Sequence, residues 1–497
     1  MRVRTPGIVG CVLLAALSVS AHVGSPDVYF EGDAGPYHLF VTVRVPQVIP
    51  GIAEIEVRSA SNDVNKIEIV PMRLSGAGSN LPPTPDIAER SKQDPQFFTG
   101  SLWLMEFGAL KVRVTAEGSK GKGEIAVPVP AFAQRTLPMQ KSLGGLLAFL
   151  AAFLTAGLVF IAGAAAREGN LEPGDTPSLA SKRRARIVMV LTAVVVLGIL
   201  YLGNAWWGLE ARSYARGVNL FKPPLAETTL ENGNHLVIRA KGQDPEWSKR
   251  VKFEDLVPDH NHLMHLFLLS TPGMVRMWHL HPERTGEAFT ENLPDMPAGH
   301  YEVFADIVDR NGFPWTLVGQ VDLPEIKGTP MTGDDSTWSG AALDEQAETT
   351  ETSPLADGGR MVWERSSGAL AVNTAMNLKF KIEDKDGNPA KDVEPYMGMA
   401  GHAEIVSSDL SVFAHIHPAG SVSMAALDLA NGGPSGANII IGAVAPPAMT
   451  MSMGSASSVA PEITFPFGFP KPGEYRIFVQ IKRAGQVETG VFDAHVQ

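Results

Sequence analysis

Cysteine is almost absent from this chain of 497 residues, since Cys11 is the only one. Cys11 lies in an apolar stretch that follows Arg2 and Arg4, and small residues around Ala21 form a typical signal-peptide cleavage site. We therefore predict that residues 1–21 are a signal peptide, whose removal leaves a mature chain without cysteine. Disulfides, thiolate metal ligands and cysteine nucleophiles are then excluded, and so is a blue-copper site.

Positive charge is also scarce, because 41 Lys and Arg stand against 53 Asp and Glu, for a net charge of −12. A long basic stripe is lacking, which argues against nucleic acid as a partner. Sequence motifs of common hydrolases, metalloproteases and nucleotide-binding enzymes are lacking too. We therefore predict that the protein is not an enzyme, and that its acidic surface attracts cations.

Residues 142–166 and 187–207 contain no charged residue, and each stretch is long enough to cross a bilayer. We predict two transmembrane helices over these ranges. The segment 167–186 between them is rich in Lys and Arg, which predicts a cytoplasmic loop. Residues 22–137 and 208–497 then both lie in the periplasm, anchored in a bacterial inner membrane by the two-helix hairpin. The alternative is a pair of buried helices in a soluble core.

Alternating apolar and polar residues fill the first external block, as in "YHLFVTVRVP" and "LKVRVTAEG". A period of two is typical of β-strands with one buried face, and glycine-containing turns separate the runs. The sequence therefore predicts a mainly β fold, in which residues 22–137 form an immunoglobulin-like β-sandwich.

The C-terminal region contains an internal repeat. The segment "HLFLLSTPGMVRMWHLHP" matches "HAEIVSSDLSVFAHIHP", and "LPDMPAGHYEVFADIV" matches "FGFPKPGEYRIFVQIK" later in both copies. We predict two more immunoglobulin-like sandwiches, repeat 1 over 208–328 and repeat 2 over 355–497. The acidic segment 329–354 between them reads as a linker.

Each repeat carries the motif His-x-His-Pro, and alternate residues of a strand point to the same face. A tight hairpin turn before each motif would place His265 opposite His279 and His402 opposite His415. Each repeat would then gather three imidazoles on one face. The predicted ligands in the repeats are His265, His279, His281, His402, His415 and His417.

Three histidines satisfy the ligand count of a metal site with one open position. Imidazole suits copper, zinc, nickel and iron. The alternative is structural, because each ring can instead hydrogen-bond to a backbone carbonyl, and duplication copies structural residues as faithfully as ligands.

Methionines add a softer donor set. Met449, Met451 and Met453 alternate in "MTMSM", so they share one face if this segment is extended. Thioether ligands select Cu(I), which favours copper as the metal. The alternative is that these methionines fill gaps in a core.

The mature N-terminus is a third candidate site. His22 would offer its α-amine and its imidazole to one Cu(II) ion, and His38 could join it if the fold brings the two together. The alternative is that His22 is a frayed terminal residue.

The strings "DHNHLMHLFLL", "HLHP", "GMAGHAEIV" and "FAHIHP" resemble extracytoplasmic domains of uncharacterised bacterial membrane proteins, often encoded near heavy-metal-handling genes. The N-terminal block resembles YtkA-like and CopC-type immunoglobulin-fold domains. This resemblance implies that His22 is a copper ligand, as the mature N-terminal histidine is in that family. The CopC-type pattern also needs further His or Asp ligands, for which this block offers only His38 and acids such as Asp27.

The sequence therefore predicts a membrane-anchored periplasmic protein that binds copper through His and Met sites, for relay or homeostasis. Its partners would be the membrane and a copper-receiving protein or an efflux system. One alternative is a structural or protein-interaction module of a membrane complex. Another is a copper-dependent redox enzyme, since His-x-His on a β-sandwich strand also occurs in copper-dependent superoxide dismutases.

Overall fold

The computed structural model describes residues 26–172, 174–344, 349–365, 368–432 and 459–497. Strands dominate the three regions outside the two long helices, which lie between the first and the second of these regions, as predicted. The helices are α1 (Lys141–Glu168), α2 (Leu179–Leu220), α3 (Trp247–Arg250) and α4 (Met424–Asn431).

The N-terminal region is built from eight strands. They are β1 (Val28–Ala34), β2 (Tyr37–Arg44), β3 (Gly51–Ser59), β4 (Val64–Arg73), β5 (Asp86–Arg90), β6 (Phe97–Leu104), β7 (Gly108–Gly118) and β8 (Gly121–Ala131). Their order in the sheet is β1-β2-β3-β6-β5-β4-β7-β8. In β2, which contains most of "YHLFVTVRVP", alternate residues from Tyr37 to Val43 are buried, which confirms the predicted alternation there, whereas β7, which contains "LKVRVTAEG", is largely buried on both faces. The immunoglobulin-like topology stays a prediction.

Helices α1 and α2 are both long and apolar enough to cross a membrane, with a mean hydropathy of 2.4 over their most apolar windows. Both extend beyond the predicted spans, and α2 continues well past Trp207. Its last turns pack on the β domains, because Tyr214 and Val218 contact the N-terminal core and Leu220 lies in the core of repeat 1. The helix pair is therefore continuous with the β domains.

Repeat 1 forms one sheet in the order β14-β15-β10-β9-β17-β16-β12-β13-β18, with β11 paired to β16. Its strands are β9 (Leu225–Glu231), β10 (His235–Lys241), β11 (Leu256–Val257), β12 (His265–Thr271), β13 (Arg276–Leu280), β14 (Glu283–Thr285), β15 (Ala288–Asn292), β16 (Gly299–Asp309), β17 (Pro314–Leu323) and β18 (Ser336–Ser339).

Repeat 2 has two sheets among its described residues, β19-β20-β21-β25 and β22-β26-β23-β24, with β27 paired to β26. Its strands are β19 (Thr352–Pro354), β20 (Arg360–Glu364), β21 (Met376–Glu383), β22 (Val393–Glu394), β23 (His402–Ser407), β24 (Phe413–Ile416), β25 (Glu462–Phe467), β26 (Gly473–Arg483) and β27 (Gln486–Val496). The two repeats share one pattern, since β12 lies between β13 and β16 just as β23 lies between β24 and β26.

The hairpin registers differ from the prediction by two residues. His279 lies opposite Phe267, and His415 lies opposite Glu404, so the predicted pairs with His265 and His402 are wrong. The turns are longer than predicted, and a longer turn displaces the register. Because a two-residue shift returns each side chain to the same face, the histidines still share one surface.

The described parts of the segment 329–354 contribute a strand to the sheet of each repeat. Its β18 extends the sheet of repeat 1 by pairing with β13, and its β19 pairs with β20 of repeat 2. The helix α4, which follows the His-Pro motif of repeat 2, was not predicted either. It docks on the N-terminal region, where the Asn431 side chain hydrogen-bonds to the backbone of Ala126.

The two repeats pack face to face through an apolar cluster. Phe304 of repeat 1 stacks on Phe413 of repeat 2, with ring centroids 4.3 Å apart and planes within 5°. Arg476 of repeat 2 donates to the backbone carbonyl of Met274 at 2.9 Å. The remaining members of the cluster are Phe267, Leu269, Met277, Val406 and Phe478. This packing brings the histidine-bearing hairpins of both repeats together.

Candidate metal centre

Eight histidines gather where the two repeats meet, and their rings form a continuous network of contacts. They are His260, His262, His265, His279, His281, His402, His415 and His417. Within this network, two groups of three bring one nitrogen from each ring within 4.8 Å of the others. We call His265, His279 and His281 the intra-repeat triad. We call His260, His402 and His417 the inter-repeat triad, because its ligands come from both repeats.

The intra-repeat triad is anchored through the outer nitrogen of each ring. Nε2 of His265 lies 3.1 Å from the carbonyl oxygen of Asp259. Nδ1 of His279 lies 2.8 Å from Oε1 of Gln480, and Nδ1 of His281 lies 3.0 Å from Oδ1 of Asp335. These acceptors favour a proton on each outer nitrogen, which leaves a lone pair on each inner nitrogen. Metal-binding histidines are oriented by outer partners of this kind.

The inner nitrogens of this triad face one another. His265 Nδ1 and His279 Nε2 lie 3.1 Å apart. His281 Nε2 is buried and has no hydrogen-bond partner within the described part of the chain. With the protons on the outer nitrogens, the lone pairs of the three rings face one another, and a cation between them would relieve their repulsion. With a proton on either inner nitrogen, His265 and His279 hydrogen-bond to each other.

A tight turn delivers His260 to the inter-repeat triad. Asp259 and His262 exchange backbone hydrogen bonds across it, and His260 and Asn261 adopt positive φ angles of 51° and 69°. The same turn recurs in repeat 2, where Tyr396 pairs with Met399 and Met397 has φ 48°. Asp259 Oδ1 also accepts the backbone N–H of Ala425 at 2.9 Å, which ties the turn to α4.

The inter-repeat triad is built on the same plan. Nδ1 of His417 lies 3.0 Å from the carbonyl oxygen of Val422, and His260 hydrogen-bonds to the backbone of Met397. Nε2 of both rings is buried and has no hydrogen-bond partner among the residues that the structure describes. The ring of His402 is fully buried, and neither of its nitrogens has a hydrogen-bond partner among the described residues.

Burial keeps these rings neutral, which is the form that binds metal. Burial, together with the charges of neighbouring histidines, lowers the pKa of His265, His279, His402 and His417 well below the usual value for histidine. Burial also lowers the pKa of His260.

His415 and Glu404 lie at the same interface but in neither triad. Nδ1 of His415 lies 3.4 Å from Oδ2 of Asp306, and its Nε2 has no hydrogen-bond partner in the described ranges. Although burial alone would lower the pKa of His415, the hydrogen bond and charge of Asp306 raise it above its usual value. Both Glu404 side-chain oxygens are buried and have no hydrogen-bond partner among the described residues. Burial raises the pKa of this carboxyl to about 8.

The structure groups the predicted ligands differently from the sequence. It brings together His265, His279 and His281, but His260 of repeat 1 takes the place predicted for His415. The sequence feature that indicates His260 as a ligand is "DHNH", a turn with two histidines. Repeat 2 has "YMGM" at the equivalent positions.

One of the remaining candidate ligands, His38, is described by the structure, and the other four are not. His22, Met449, Met451 and Met453 lie outside the described residues. His38 lies on β2, where its two ring nitrogens hydrogen-bond to the carboxylates of Asp33 and Glu31, at 2.7 and 2.9 Å.

A cavity of about 490 Å³ adjoins the histidines. It lies where the N-terminal region, the end of α2 and the two repeats meet. Phe132, Phe221 and Trp315 form apolar walls, while His415 and His417 are among the residues at its polar end. The cavity therefore gives small molecules a route towards buried ligands.

Residues 355–497 match a family model described as a domain of unknown function (DUF8832), which covers repeat 2 only. A comparison with curated proteins finds no match.

Solved structures show only distant similarity. An engineered protein is 12% identical, covering 20% of this chain and 21% of its own, at a TM-score of 0.16. The ICAM-5 D1-D4 ectodomain fragment is 8% identical, covering 93% of this chain and 77% of its own, also at 0.16. SGBP-B from a xyloglucan utilization locus in Bacteroides uniformis is 8% identical, covering 92% and 97%, at 0.17. Scores this low carry no argument about fold or function.

Proposed function

We propose that this is a membrane-anchored protein that binds transition-metal ions, copper foremost, between its two C-terminal repeats. One observation carries the proposal: in the inter-repeat triad, buried imidazole nitrogens converge without hydrogen-bond partners among the described residues, while the outer nitrogens of the intra-repeat triad are held by hydrogen bonds. Buried polar groups are ordinarily hydrogen-bonded, so such a set calls for a missing ion. A purely structural role for the histidines leaves this convergence unexplained.

Copper is the first choice among the metals. Imidazole ligands suit copper, zinc, nickel and iron alike, but the general order of affinities for divalent ions peaks at Cu(II). Zinc is the second candidate, since three histidines and an open position also form a typical catalytic zinc site.

We further propose that the centre lies in the periplasm and hands copper to a receiving protein or an efflux system. The basic segment between the two apolar helices supports this orientation. A reporter fused within residues 170–181 should behave as cytoplasmic, and one fused after residue 497 as periplasmic. The opposite pattern would contradict the proposed location.

The second candidate function is a copper-dependent redox enzyme, favoured by the cavity that reaches His415 and His417. The third is a protein-interaction module, in which the histidines serve packing alone. Metal content separates the third from the others, and superoxide turnover by the copper-loaded protein would favour the second.

The test is metal analysis of the full chain, purified in detergent, stripped with a chelator and then exposed to Cu(II) or Zn(II). Copper should remain bound after gel filtration, and a His279→Ala/His281→Ala variant should retain less. The matched control is His235→Ala/His300→Ala, which changes two partly exposed histidines that pair with Asn292 and Asp322. If the wild-type chain retains neither metal at micromolar free ion, the proposal is wrong.

A further inference from the structure

The inference here rests on the proposed function and concerns His415, which belongs to neither triad. Its ring centroid lies 4.7 Å from that of His417 and 5.5 Å from that of His402, both in the inter-repeat triad. It also lies 5.2 Å from His265 and 5.8 Å from His279, both in the intra-repeat triad. His415 therefore stands between the two candidate sites.

His415 is built like the ligands on either side. Its outer nitrogen is held by Asp306, and its inner Nε2 is buried without a hydrogen-bond partner in the described part of the chain. Other contacts also bridge the two sites, since the ring centroids of His260 and His265 lie 6.1 Å apart. Because metal–imidazole bonds are about 2 Å long, the ions bound in the two triads would be separated only by these contacting imidazole rings.

The charge around the rings is negative, which favours the binding of cations. Five carboxylates each place an oxygen 3.0–4.0 Å from a histidine nitrogen: Asp259, Asp306, Asp334, Asp335 and Glu404. Lys482 opposes them, with Nζ 3.7 Å from Asp334. Without Glu404, whose pKa burial raises to about 8, the balance is −4 + 1 = −3, an excess of negative charge that bound cations would offset. Buried charges persist when they are paired in this way.

The cavity reaches both sites. His265 of the intra-repeat triad, His417 of the inter-repeat triad and His415 between them all line it. A small anion that enters the cavity would therefore meet both ions at once.

We propose that His415 joins the two triads into a single centre that holds a pair of divalent ions, close enough for the spins of two Cu(II) ions to couple. Each triad supplies three ligands to its own ion, and His415 supplies a further imidazole at the boundary. Two-metal sites commonly place their ions about 3.5–4 Å apart, which is within range of strong coupling.

The test uses the full chain in detergent, stripped of metal and titrated with Cu(II) as the probe. Bound copper is counted by mass spectrometry, and unpaired spins are counted by electron paramagnetic resonance. We expect two copper ions per chain, with an integrated signal well below two spins. One ion per chain, or two ions with two independent spins, would overturn the inference while leaving the proposed function intact. An absence of bound copper would overturn the proposed function as well.

His415→Gln removes the imidazole but keeps an amide that can donate to Asp306. We expect the second copper to bind about 10–100-fold more weakly, and a single-ion spectrum to replace the coupled one at low loading. His415→Asn, with a shorter amide, serves as a second variant if His415→Gln does not fold, as judged by circular dichroism. His235→Gln is the matched control and should behave as wild type. Coupled spectra and unchanged affinities in both His415 variants would contradict its role.

Discussion

At the scale of single residues, His402 is the ring with most to gain from a metal ion. It is fully buried, and neither of its nitrogens has a hydrogen-bond partner within the described ranges. A buried polar group without a partner costs about 1–3 kcal/mol, so His402→Ala should change the stability of the metal-free protein less than an ordinary core truncation does.

The same substitution should greatly reduce the rise in Tm that copper binding causes. Binding at 100-fold above Kd stabilises a protein by about 2.7 kcal/mol, which raises the Tm of a unit of 150–250 residues by roughly 5–10 °C. Differential scanning fluorimetry with and without copper measures this shift. The His300→Ala control should keep it, and an equal shift in His402→Ala would show that His402 is not a ligand.

Stability of the metal-free protein should peak in a narrow pH window. Histidines with a lowered pKa, such as His265 and His279, stabilise the fold above about pH 6.5, the pKa of free histidine, and this contribution is lost as the pH falls. Glu404 has a raised pKa of about 8, so its contribution is complete below about pH 4.5, the usual value for this carboxyl, and is lost progressively as the pH rises to about 8. His415, with its raised pKa, opposes the first trend. We expect a maximum near pH 6.5, where the histidine contribution is complete, followed by a decline towards pH 8.

Glu404→Gln separates the two limbs of this profile. Since the glutamine does not titrate, urea denaturation of the chelator-treated variant should show a flatter alkaline limb, and a steeper acidic limb because the opposing contribution of Glu404 is removed. A wild-type alkaline limb in the variant would assign that limb to other groups.

At the scale of elements, the turn before β12 has a counterpart before β23, and the pair provides a matched comparison. His260 and Met397 occupy equivalent positions, with φ angles of 51° and 48°. Glycine adopts this conformation freely, so His260→Gly and Met397→Gly should both preserve the turn. His260→Gly removes a proposed ligand of the inter-repeat triad and should weaken copper binding about 10-fold or more, whereas Met397→Gly should retain wild-type affinity in a competition titration. Equal affinities for the two variants would place His260 outside the site.

Sequence periodicity predicted the strands, but it left the hairpin registers undetermined. All six residues of β23 are buried, so burial does not distinguish one register from another. The prediction erred by two residues, which preserves the face and therefore the intra-repeat triad. The inter-repeat triad was beyond such reasoning, because His260 reaches His402 only when the repeats dock.

At the scale of the whole molecule, copper bound in the inter-repeat triad should hold the two repeats together. His260 comes from repeat 1, while His402 and His417 come from repeat 2, so an ion bound by all three favours the docked arrangement. Hydrogen exchange of the backbone around Phe304 and Phe413, which stack across the interface, should slow when copper is added. The His402→Ala variant should lose this protection, whereas β2 and β3 of the N-terminal region should exchange at the same rate with and without copper. Uniform slowing across all three β domains would instead indicate general stabilisation without a clamp at the interface.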